Sequence, residues 1–375
     1  MTSLDPIEYF DAFTKRRGGR VTREKSLYPL VRHDSGIVSY CLRIARRVTE
    51  DIRTSPRVTR PVPPIYVDYV DSLEFQSIAF PRLNEHFFIG LYLGPLLKLH
   101  DYFLLVFADP TLFQDVGDPS KEVPISQRPA GMVWAPVDSA RQERAQMFTL
   151  MAFDFLVRHE ITHVMHGHVG YQYEKGGLEG LLDLETHLQA SEKMIRQAFE
   201  MDADAWAAIL GAGDAMLRVD RFEKVSPRWR AISGSYEDSF FAYLFSIHSF
   251  FLLTDEALGH PPIDFKTIGT ASHPPARLRA RMVYGDAATW LQHVYGPEIV
   301  NIRLLPSMIR ALITAERCFM SVRGRTPEKT APGYQDAFLD LRSHEHIRGI
   351  LRTWRQIRPD LEPFAFKEIP VAQDV

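Results

Sequence analysis

Residues 158–168 read RHEITHVMHGH, and the placement of the histidines in this stretch decides how the rest of the chain is read. His159 and His163 are four residues apart. On an α-helix that spacing puts both imidazoles on one face, one turn apart, where both reach a single ion. Glu160 stands beside the first of them, placed to act as base toward a metal-activated water. Two ligands and a base in an HExxH arrangement point to metal-assisted hydrolysis.

Three positions fix HExxH, so an exposed amphipathic helix with idle histidines also satisfies it. The surroundings favour the metal reading. Phe153, Phe155, Leu156 and Val157 run into the motif and predict a buried helix, where ionisable groups need partners. Ser139 with Gln142 three residues on is a capping-box pattern. It opens a helix through Met147, Leu150 and Phe153 towards His168.

A catalytic zinc takes three protein ligands and keeps one position open. The metzincin spacing needs glycine at 166 and histidine at 169, and the chain has His166 and Val169 there. A better third ligand lies in 199–207, FEMDADAWA. Glu200 and Asp204 share a helix face, so Glu200 can ligate while Asp204 holds a ligating histidine in orientation. Asp202 points roughly the other way. This helix is expected over 191–210, stopped by Gly211 and Gly213. His166, one turn past His163, is the candidate to sit behind the ligands; for both His166 and His168 a structural or solvent role is expected ahead of ligation.

Outward from this centre, the spacing of Ile37, Cys41, Ile44, Val48 and Ile52 predicts a helix that Asp34 and Ser35 can cap, and Pro56, Pro61, Pro63 and Pro64 end it. Runs at 65–70, 87–92, 102–107 and 132–134 look extended, and 110–131 and 170–188 look like loop, the latter with room for a short helical excursion. Further helices are expected at 236–257, 275–284, 305–320 and 335–356. The fold class is therefore α+β and mostly helical, with a small N-terminal sheet preceding the HExxH helix. The chain divides into an N-terminal helical and linker region at 1–64, a peptidase domain at 65–290 and a C-terminal helical region at 291–375.

The 375 residues carry 44 basic and 47 acidic side chains, a net charge of −3, which gives no general attraction to nucleic acid or anionic membrane. The basic run 14–25 lacks interleaved aromatics and reads as a solvated segment. Residues 1–10 hold Asp5 and Glu8 without an apolar core, unlike a secretory signal. The apolar stretches 87–107 and 240–253 read as core, since a membrane span takes about 20 apolar residues. Two cysteines, Cys41 and Cys318, fit a reducing cytoplasm.

HExxH, then Glu-x-x-Ala-Asp at 200–204, then SHPPARLR at 272–279 resemble the gluzincin metallopeptidases of the HtpX and CAAX prenyl protease type. They resemble still more the soluble relatives of the phage-exclusion protease Lit, to which ITH at 161–163 and ADAWAAILG at 203–211 are similar in kind. The resemblance covers about 140–285. It implies a zincin-like core with Zn2+ on His159, His163 and Glu200, Glu160 as catalytic base and Asp204 behind the ligands. It implies a place near the metal for His273, as a transition-state donor or a regulatory ligand, and a bracing role for Arg279. The family's membrane helices have no counterpart here, so a soluble protein or peptide substrate is expected, with a possible regulatory partner. Two alternatives stand beside a general endopeptidase. One is a phage-defence or toxin protease specific for one host protein. The other is a latent or inactive zincin with a structural zinc, in which His273 is a fourth ligand.

Overall fold

The computed structural model of the chain describes residues 5–22, 36–82, 86–124, 127, 134–182, 189–259, 273–324 and 341–370. The chain is α+β and mostly helical, with one three-stranded sheet near its N-terminal end. Among the described residues no helix is long and apolar enough to cross a membrane. Cys41 and Cys318 are both buried and unpaired.

Helix α1 (Pro6–Thr14) begins with Asp5, whose carboxylate accepts the Ile7 N–H at 2.9 Å. Helix α2 (Gly36–Arg53) buries Val38, Cys41, Ala45 and Thr49, a single stripe of helical period. The sheet follows, with β1 (Ile65–Val70), β2 (Ser77–Arg82) and β3 (His86–Tyr92) in the order β1-β3-β2. β1 runs parallel to β3 and β2 antiparallel. Side chains alternate across it. Val67, Tyr69, Ile89 and Leu91 enter the main core, while Val70, Phe80, Phe88 and Tyr92 pack beneath Phe10 of α1.

Helix α3 (Leu93–Ala108) leaves β3 without a loop. Its end, 102–107, was expected as a strand. It is a helix buried on nearly every side, and a short apolar run of that kind carries no periodicity that separates the two. β2 was not anticipated, because SIAFPR includes a proline. Pro81 is tolerated because β2 lies at the sheet's edge.

Helix α4 (Ser139–Met165) carries the HExxH motif. Its cap is Asp138, one residue before the expected Ser139: the Asp138 carboxylate accepts from the N–H groups of Ala140 and Arg141. The buried Arg141 guanidinium then donates to the carbonyls of Phe107, Asp109, Leu112, Phe113 and Val116, tying the 109–116 loop to the start of α4. Helix α5 (His168–Leu182) occupies most of the expected 170–188 loop.

Helix α6 (Ala190–Asp220) runs ten residues beyond its expected stop. Gly211 does not end it. A β-carbon there would stand 2.2 Å from the Tyr243 hydroxyl, so the glycine permits close packing against α7 (Tyr236–Leu258). Helices α8 (Ala276–Tyr295), α9 (Leu305–Val322) and α10 (Leu341–Leu361) complete the description. One cluster of buried apolar residues extends from Val38 through α3, α4, α7 and α9 to Phe366. A second joins α6, α8 and α10 through Phe199, Met282, Ile350 and Trp354. Asp34, Ser35, the greater part of 132–134, Ser272 and the start of the expected helix at 335–356 lie outside the described residues.

Candidate metal centre

Helices α4 and α6 pack side by side and bring the expected ligands together. The Nε2 atoms of His159 and His163 are 3.1 Å apart. Glu200 places Oε2 3.4 Å from the first and Oε1 3.5 Å from the second. A tetrahedral ion with bonds of about 2.0–2.1 Å would separate its ligand atoms by about 3.3 Å, and the nearest donor pairs of the three side chains are close to that, with one Glu200 oxygen facing each imidazole, so the three side chains could hold one ion. Two facing imidazole nitrogens and a carboxylate are the donor types zinc takes.

The charges agree with the distances. Burial opposes a charge on His159, yet Glu200 and Asp204 overcome it and push the imidazole up to about 10. Burial likewise opposes the charge on Glu200, but His273, His159 and Arg279 hold its carboxyl well below the usual range. The pocket is thus built to hold positive charge between fixed carboxylates. Glu160 is raised by burial, against the pull of His159 and His163.

Each histidine of the candidate ligand pair has a different backing. Nδ1 of His159 lies 2.9 Å from Oδ1 of Asp204. Arg279, from α8, donates two parallel hydrogen bonds to Asp204 at 2.7 and 2.8 Å and reaches Glu200 at 3.3 Å. It therefore braces the two carboxylates of α6, a bidentate geometry in which the planar guanidinium is favoured. Just ahead of α8, Nε2 of His273 is 3.6 Å from Glu200 on a half-exposed side chain.

Among the described residues, His163 meets no carboxylate through Nδ1. That atom is 3.1 Å from Nδ1 of His168. His166 faces Asp202 instead, at 2.5 Å. The residue behind this ligand is thus His168 and not His166, as sequence spacing had suggested. The cause is Gly167, at φ +83, where a β-carbon would stand 2.8 Å from the backbone of Phe364 and Ala365. This left-handed turn ends α4 and folds His168 back under His163. Asp202 does point away from the three ligands, as the helical spacing requires, and towards His166 and His168. The HGH triplet was the available signal, legible only once glycine is read as a reversal of the chain.

A cleft of about 480 Å³ opens over the centre. His159, Glu160, His163 and Glu200 line it, together with His273, Arg279 and Phe250 and with Ser77, Ile78 and Ala79 of β2. No family model, no curated protein and no solved structure matches the chain, so the chemistry rests on this geometry.

Proposed function

We propose that the chain is a zinc-dependent endopeptidase built on a zincin-like core, with His159, His163 and Glu200 as ligands and Glu160 as general base. The observation that carries this reading is the convergence of two imidazole nitrogens 3.1 Å apart with a carboxylate whose two oxygens stand 3.4 and 3.5 Å from them, one facing each ring, open to a cleft that Glu160 also lines. A zinc ion bound there supplies Lewis acidity for the scissile carbonyl and lowers the pKa of water.

Glu160 takes the proton of the attacking water as the new C–O bond forms. It returns that proton to the leaving amine as the C–N bond breaks. Its burial, which raises its pKa, suits a carboxyl that must both accept and donate. Arg279 and Asp204 keep the His159 ring turned towards the centre. β2 lines the cleft from the edge of its sheet, so an extended substrate can add to it as a further strand, held by main-chain hydrogen bonds. This suits a protein or peptide substrate.

A closed, structural zinc is the second reading, and His273 near Glu200 is what favours it. The two separate on His273→Ala, which leaves the zinc content of a peptidase unchanged and lowers that of a four-ligand structural site.

The test of the main reading is metal content and proteolysis of the purified chain beside Glu160→Gln. The expected result is one zinc per chain in both, with new peptide termini in a protein mixture from the wild type alone and a rate loss of at least about 10²-fold in the variant. Equal cleavage by Glu160→Gln would remove the base. Absence of zinc from both proteins would remove the whole assignment.

A further inference from the structure

The second group of titratable residues at this end of α4, His166, His168 and Asp202, is fully buried and could itself be taken for a metal site. One short distance within it argues otherwise. Nδ1 of His166 is 2.5 Å from Oδ2 of Asp202, a hydrogen-bond length, whereas ligand atoms of one zinc stand about 3.3 Å apart.

The proton positions lead to the same conclusion. If His163 offers Nε2 to a metal, as the proposed function requires, its one remaining ring proton is on Nδ1. That proton faces Nδ1 of His168 at 3.1 Å, so His168 must accept there and carry its own proton on Nε2. Nε2 of His168 is 3.3 Å from Oδ2 of Asp202. His166 directs Nδ1 to the same carboxylate, while among the described residues Nε2 of His166 and Nε2 of His168 are both buried without a hydrogen bond of good geometry. A neutral His166 therefore keeps its proton on the side facing Asp202. Were His168 to lend Nε2 to a second ion, its proton would move to Nδ1 and two N–H groups would oppose each other.

We propose that His168 is a positioning residue for the metal centre. Its Nδ1 accepts the Nδ1–H of His163, fixing that ligand's tautomer and ring angle, with the Asp202 carboxylate 3.3 Å from its Nε2. The surroundings hold the plane of the His168 ring. Its ring lies parallel to Phe199 with centroids 4.4 Å apart, and Trp354 of α10 meets it edge-on at 5.8 Å. The C-terminal helix thus seals the relay from water, which gives this part of the chain a role at the centre without touching it. Partners behind a ligating histidine commonly contribute 10–100-fold in metal affinity.

This inference rests on the proposed zinc site, and the experiment separates the two. The zinc dissociation constants of the full-length wild type, His168→Phe and His168→Asn are measured by competition with a chromophoric chelator. Cobalt(II) absorption spectra of the same proteins report ligand geometry. His168→Phe removes the acceptor but keeps a planar ring, and zinc affinity should fall about 10–100-fold with a shifted cobalt band. His168→Asn sets a carbonyl oxygen near the place of Nδ1 and should recover most of the affinity and the wild-type band. Unchanged affinity in His168→Phe, or equal losses in the two variants, overturns the role of His168 while leaving the zinc site in place. Failure of the wild type to bind zinc overturns both. Should His168→Phe not fold, Asp202→Asn, nearly isosteric, carries the test: a several-fold weaker zinc constant is expected, and an unchanged one overturns the proposal.

Discussion

The two histidines of the HExxH helix occupy equivalent positions one turn apart, but what lies behind them differs. Behind His159 the sequence of contacts is charged: Asp204, then the Arg279 guanidinium that also reaches Glu200. Behind His163 it is a stack of rings: His168 between Phe199 and Trp354, with charge appearing only at Asp202. The difference teaches that one candidate metal centre can be held by two kinds of rigidity. The first is electrostatic and depends on paired charges remaining paired. The second is steric and depends on a dry, close-packed wall.

The strongest way to break the comparison is Arg279→Met. It leaves Asp204 and Glu200 buried without their cation, and breaking a buried ion pair by removing one partner costs about 3–5 kcal/mol. That loss is expected in urea unfolding of the chelated protein. Zinc should restore much of it, because a bound cation again neutralises the two carboxylates. An equal loss with and without zinc would show that Arg279 acts through packing alone and that the His159 side is no more electrostatic than the other.

The matching test of the steric side is Trp354→Ala. Removing a buried tryptophan typically costs about 3–5 kcal/mol, and here it opens a space beside His168. Zinc affinity should also weaken, by less than in His168→Phe, because the hydrogen-bond acceptor remains while its wall is lost. The zinc constant measured beside the urea midpoint decides: lost stability with unaltered affinity would mean that α10 merely supports the fold and does not hold the ring.

What sequence could convey about the two sides follows from the same difference. Glu200 and Asp204 were legible because one continuous helix sets their spacing, and spacing of four is a statement about direction. His168 was not, because its direction depends on the left-handed turn at Gly167, which resets the helical period between one histidine and the next. Nor was Trp354 legible as a wall, since only tertiary packing brings α10 against α6. The sheet shows a similar division. β1 and β3 were evident from their branched and aromatic residues, whereas β2 was hidden by Pro81. The last part of α3 reads as a strand in the sequence because burial on nearly every side erases its period. At Gly211 a stop was read where the requirement is close approach to Tyr243.

Asp286, on α8, stands where the fields of the two sides meet and gives the smallest and most specific test. Burial, then the nearby Asp202 and Asp204 carboxylates, raise its pKa to about 7. In the unfolded chain the group titrates near its ordinary value of 3.8. Between those limits the folded protein holds a proton that the unfolded chain has lost, so stability falls as pH rises through the window and the full penalty is present above it. Asp286→Asn removes the titration. The chelated variant should melt above the wild type at pH 8, by roughly 1 °C for each kcal/mol relieved in a chain of this length, and the two curves should converge below about pH 4. The double variant with Asp202→Asn then sharpens the comparison. If Asp202 contributes its charge to the region around Asp286, the gain from Asp286→Asn shrinks in that background. An undiminished gain would mean that the field of Asp202 is already screened by its surroundings, leaving Asp204 alone to act on Asp286.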